Sequence, residues 1–192
     1  MKKGLLALII IGVVALALGS WVINVYNGMI SRSEIVSQKW SNVETQYQRR
    51  IDLIPNLISA VQGAADFEKS TLTAVTEARN NMASAKSSGD RGAQIEAMNG
   101  FDSAISRLLV TVEAYPNIKS TEAFIQFNTE LAGTENRIRQ ARDNYNEVVK
   151  DYNLFIKIFP NKLLGGLFGF EEEEFFEAEK GAEVAPDVEF NF

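Results

Sequence analysis

The 192-residue chain has room for one domain with a buried core, and it contains neither cysteine nor histidine. That excludes disulfides and thiolate metal sites, and it removes the usual general base, metal ligand and neutral-pH switch. The net charge of −6 is unevenly spread: residues 171–192 hold nine acidic side chains against Lys180, a net of −8, while residues 1–170 are close to neutral at +2.

Residues Gly4 to Val25 form a run of 22 positions without a charge. As a helix at ~1.5 Å per residue this is roughly 33 Å, enough to cross a hydrocarbon core of ~30 Å. Trp21 and Tyr26 stand at its far end, where amphipathic rings favour the headgroup layer. A cleaved signal peptide is the alternative, with Lys2 and Lys3 as its basic start and Ala17-Leu18-Gly19 as a small-x-small site. The apolar run continues past Gly19 through Trp21, Val22, Ile23 and Val25, which favours a retained single-pass anchor over residues 1–27. Lys2, Lys3 and the terminal amine, set against Arg32 and Lys39, lean weakly toward an inside N-terminus and an exported domain. The expected location is a bacterial inner membrane.

Residues 28–160 read as a helical bundle. A 3-4 seam of Val22, Tyr26, Met29, Ser33, Val36, Trp40, Val43, Tyr47, Arg50 and Ile54 runs out of the anchor without proline, so anchor and first bundle helix read as one rod. Pro55 kinks or turns the chain. The seam resumes with Leu57, Ile58, Val61, Ala65, Glu68, Leu72, Val75, Arg79 and Met82, and Ala85 to Gly92 reads as an exposed loop. A further helix from about Ala93 to Tyr115 points Ile95, Met98, Phe101, Ile105, Leu108, Leu109 and Val112 inward, and Pro116-Asn117 ends it. The last helix, capped by Ser120 or Thr121, carries Phe124, Phe127, Leu131, Thr134, Ile138, Ala141, Tyr145, Val148, Tyr152, Phe155 and Phe159 as far as Pro160. The fold expected is all-α: a transmembrane helix continuing into an antiparallel long-helix bundle of four-helix type. Short connectors and aromatic seam residues favour that bundle over an intermolecular coiled coil, which would make the chain a homo-oligomer.

Residues 161–192 form an acidic tail. Leu163 to Phe170 is apolar and glycine-rich, and beyond it acids alternate with Phe175, Phe176, Phe190 and Phe192. Such charge density favours a mobile segment from Glu171 to Phe192, while its rings point to part of the tail packing on the bundle or on a partner. On this reading, deleting 171–192 leaves the melting of the domain nearly unchanged.

Chemistry is poorly provided for. A serine nucleophile has no histidine base, and Lys69-Ser70 and Lys119-Ser120 diverge on a helix because adjacent residues do not share a face. Gly165, Gly166 and Gly169 lack the lysine and the strand context of a phosphate loop. Glu68, Glu113, Glu130 and Glu135 lack the histidines of a bundle di-metal site, so neither a metal nor another cofactor is expected. The near-neutral body offers no basic face for nucleic acid. The polar seam residues Arg50, Glu68 and Arg79 read either as side chains snorkelling at the bundle edge or as a buried network fixing helix register, with Glu135 a partner for Arg50.

Four segments also resemble the LemA family along nearly the whole chain. They are Tyr26-Asn27, the RRIDLIPNL block Arg49 to Leu57, the turn Glu113 to Asn117 (EAYPN), and Thr134 to Ile138 followed by Tyr145-Asn146. The stretch around Phe168-Gly169-Phe170 and the ending Pro186 to Phe190 are similar to family C-termini. The resemblance implies an N-terminally anchored helical bundle, and it implies no reaction and no catalytic residues. The expected role is a non-enzymatic scaffold or adaptor for an envelope protein; an enzyme or metal-binding bundle is the alternative.

Overall fold

The computed structural model describes residues 2–62 and 68–176. Seven helices follow in order: α1 Lys2–Asp52, α2 Ile54–Gln62, α3 Lys69–Ser88, α4 Arg91–Glu113, α5 Pro116–Lys119, α6 Glu122–Lys157 and α7 Asn161–Phe168. There is no strand among the described residues.

The apolar N-terminal segment and the first bundle helix are one continuous helix, and its two halves differ in burial. From Leu5 to Leu18 the apolar side chains are all exposed, whereas Val25, Met29, Val36, Trp40, Val43 and Tyr47 are buried. The rod ends at Pro55, which has no N–H to extend the ladder. α1 closes with a tight bond from the Leu53 N–H to the Arg50 carbonyl, and α2 restarts with Pro55 in its first turn, where the missing donor costs nothing.

The segment after Pro55 is not the single helix its periodicity suggests. α2 packs on α6, while α3 begins afresh at Lys69 and pairs with α4. Ala65 lies outside the described residues. The expected loop at 85–92 shrinks to two residues, because Gly89 at φ +73° reverses the chain and the Asp90 carboxylate caps α4 by accepting from the Ala93 N–H at 3.2 Å. At the start of α6, Thr121 is the capping residue, accepting from the Phe124 N–H at 3.3 Å.

α1 lies along α6 in the opposite sense, with Gly28 beside Phe155 and Arg50 beside Thr134. Along α6 the predicted seam holds through Phe124, Leu131, Ile138, Tyr145 and Tyr152, all buried. The alternate column slips by one: Val149 and Ile156 are buried in place of Val148 and Phe155. A straight helix drifts ~20° per heptad against a 3.5 repeat, so late positions rotate out of the face. Phe159 lies beyond the end of α6 and is exposed.

Candidate functional site

The polar residues that interrupt the apolar seams gather at the middle of the domain, where the α1/α6 pair meets the α3/α4 pair. Arg50 of α1 is 2% exposed. Its Nη1 donates to Asp102 Oδ1 at 2.5 Å, its Nη2 donates to Glu135 Oε2, and its Nε donates to Thr134 Oγ1 at 3.4 Å. Asp102 is the hub. Its other oxygen accepts from Tyr47 OH and from Arg142 Nη2, each at 2.7 Å, and Arg142 Nη2 also donates to Asn99 Oδ1 at 3.0 Å. Two guanidiniums thus face two carboxylates, a balanced set that leaves little uncompensated charge in the interior.

Of the four polar residues singled out in the sequence, Arg50 and Glu135 are brought together. Glu68 and Arg79 are not part of this cluster. Glu68 is exposed in the extended residue before α3, because the helix there does not run through from Pro55. Arg79 is an exposed α3 residue at the rim of a cavity of about 410 Å³ floored by Ile51, Met82 and Met98. Asp102 and Arg142 escaped the sequence reading, which placed Tyr47 on the seam but gave its hydroxyl no partner. Asp102 follows the buried Phe101 and shares a helix edge with Asn99; two polar residues three apart beside a seam were the available signal.

The cluster holds its phenol protonated. Burial pushes the Tyr47 pKa well above the ordinary tyrosine value, the Asp102 charge adds to this, and Arg142 partly opposes it. For Arg50, burial works against the charged form, but Asp102 and Glu135 outweigh it and the net direction is up. Tyr145 is pushed up to about 12 by burial and by Glu173. A phenol whose folded pKa stands above its unfolded value binds its proton more tightly when folded. The stability this gives is complete below about pH 10 and is lost as pH rises toward the folded value. Denaturant unfolding should therefore show stability falling above about pH 10, and Tyr47→Phe should make that fall shallower. An unchanged slope in the variant would mean that Tyr47 is not the group responsible.

A second cluster holds residues 171–176 along α6. Asn153 Nδ2 donates to the Glu173 carbonyl and its Oδ1 accepts from the Glu173 N–H, both at 2.9 Å. Asn146 treats Phe176 identically, with both bonds at 2.9 Å. Seven helical residues rise ~10.5 Å and three nearly extended residues span ~10 Å, so the two amides match the pitch of the segment. Tyr145 OH donates to the Glu174 carbonyl at 3.0 Å, and Arg91 pairs with Glu173 at 2.5 Å. Phe176, 6% exposed, stacks on Trp40 with ring centroids 5.7 Å apart, and Arg142 stands 4.8 Å from its ring. The expectation of a mobile segment from Glu171 onward is corrected for residues 171–176, which are the part of the tail that packs on the bundle. α7 and residues 169–176 belong to the folded domain, because backbone pairing and one buried ring outweigh the repulsion among four glutamates, two of which have cationic partners. Phe190 and Phe192 lie outside the described residues.

Among the described residues no group of three or more acidic side chains converges as a metal site. The geometry holds helices in place and residues 171–176 against them.

A model of the LemA family matches residues 39–190, which includes the docked segment. Among similar proteins, the magnetosome protein MamQ 2 of Paramagnetospirillum magneticum is 29% identical, the match covering 85% of this chain and 68% of that protein. The magnetosome protein MamQ of Magnetospirillum gryphiswaldense is 28% identical with the same coverage. Protein LemA of Metamycoplasma hominis is 26% identical over 62% of this chain and 53% of its own length.

Proposed function

The chain belongs to the LemA family, and from that premise we propose that it is a single-pass membrane protein whose helical domain serves as a non-enzymatic scaffold or adaptor. The observation that carries this reading is α1. One unbroken helix exposes every large apolar side chain between Leu5 and Leu18 and then buries a stripe from Val25 to Tyr47. Exposed apolar surface on that scale is stable in a bilayer and costly in water, so the domain is fixed rigidly to the membrane it leaves. On this reading the helices form an antiparallel bundle of four-helix type, retained at the inner membrane, with the domain on the extracytoplasmic side. The similarity to magnetosome proteins supports a membrane-associated role.

Crosslinking in native membranes, followed by identification of captured proteins, tests the adaptor role; a chain that crosslinks to no other protein would end it. Two further outcomes are expected. The mature protein should have the mass of the full chain, and a start at Ser20 would show that the apolar segment is a cleaved signal. Protease added to intact spheroplasts should degrade the domain, and protection until lysis would reverse the topology.

A further inference from the structure

We propose that α7 and the turn before it form a second membrane contact, an apolar foot lying in the headgroup layer beside α1. This rests on the reading of α1 as a membrane span and adds a lipid-binding surface to it. Gly165 packs one side of α7 against α1, where a Cβ added to it would lie 3.7 Å from the Met29 side chain, and Leu164 packs against the core. The other side is apolar and uncovered: Phe159 is 81% exposed, Leu163 67%, Leu167 75% and Phe168 44%. Leu163 and Leu167, four residues apart on α7, lie in one row along its surface, and Phe159 is exposed in the turn just before the helix. So large an uncovered apolar patch at a short helix marks a contact surface.

The height of α7 on the rod says what covers it. No charged residue occurs between Lys3 and Arg32. The helix from Gly4 to Ser31 is about 42 Å long, close to the ~40–45 Å of a bilayer with its headgroups. α7 docks within this stretch, on its last turns. The Tyr26 ring meets Phe168 and Phe170 edge-on, with centroids 5.0 and 5.8 Å apart, and Met29 meets Gly165. The foot therefore stands at the headgroup level, where an amphipathic helix buries an apolar face in the acyl boundary. Lys162 is the only charged residue on α7. The glutamates that follow lead away from the membrane, since Glu173 sits at Asn153 and Phe176 at Asn146, further along α6 from the foot. Apolar burial, not charge, drives the contact, and it does not require anionic lipid.

The absence of native cysteine makes the test direct. Leu163→Cys and Leu167→Cys are each spin-labelled in the full-length chain and reconstituted in phosphatidylcholine vesicles. Collision with oxygen, which partitions into lipid, is compared with collision with an aqueous nickel chelate. Ile11→Cys marks the span, and Val110→Cys, on the exposed face of α4, marks water. The expected result is an oxygen-to-nickel ratio several-fold above that of the Val110 label, at unchanged helix content. A ratio equal to the Val110 label at both positions overturns the foot. Exclusion of both reagents also overturns it, since protein and not lipid would then cover α7. If the Ile11 label itself collides freely with nickel, the span reading fails and the foot falls with it. The Ile11 label thus separates that failure from the failure of the foot alone. Two labelled positions keep the test decisive if one variant misfolds.

Discussion

Asp102→Ala is expected to destabilise the domain by about 3–5 kcal/mol, the largest effect of any single polar substitution here. Its carboxylate is shared by Arg50, Tyr47 and Arg142, and its removal leaves a guanidinium that is only 2% exposed with the outlying Glu135 as its one counter-charge and takes the acceptor from a buried phenol. Arg50→Ala should cost somewhat less, near the lower end of that range, because Asp102 keeps Arg142 and Tyr47. Glu135→Ala is the informative contrast. That carboxylate touches Arg50 but is 54% exposed, so solvent screens it and the loss should be about 1 kcal/mol or less. Urea unfolding of the full chain in mild detergent, followed by Trp40 fluorescence, would rank the three. Equal effects of Asp102→Ala and Glu135→Ala would show that the cluster has no hub. A double-mutant cycle between Arg50 and Asp102 should give a coupling well above that between Arg50 and Glu135.

Phe176→Ala should cost about 3–5 kcal/mol, the usual range for emptying a buried phenylalanine site. The ring lies against Trp40 and Tyr145, and these two, with Arg142, would line the cavity left behind. For a domain of this size a loss of 3 kcal/mol lowers the melting temperature by roughly 6–12 °C. Truncation after Phe170 should do at least as much, since it also removes the four bonds to Asn146 and Asn153 and the Glu173–Arg91 pair. Truncation after Ala178 spares all of these contacts and should leave melting nearly unchanged. If both truncations are silent, the docked segment adds nothing to stability and residues 171–176 are an ornament on a bundle complete without them.

The sequence by itself determined the rod, the long final helix and most of the core. Heptad spacing, an uncharged run and the prolines are local properties, and burying an apolar stripe is the dominant favourable term wherever such a stripe exists. It also marked Arg50 as out of place and offered Glu135 as a partner. Tertiary structure decided three other matters. It broke the stretch after Pro55 into separately packed helices, so the Glu68 and Arg79 seam positions lost their meaning: one precedes α3 and the other rims a cavity. It chose Asp102 as the hub, because which polar edge residue of α4 faces Arg50 depends on how two helix pairs are rotated against each other. It also drew an acidic, apparently solvated segment into the fold. Composition counts the four glutamates but is blind to two asparagines spaced to pair with the backbone between them, and to an aromatic pocket assembled from α1 and α6. Periodicity reports how a helix meets the core as a whole; the pairing of particular polar atoms is fixed only when distant elements come together.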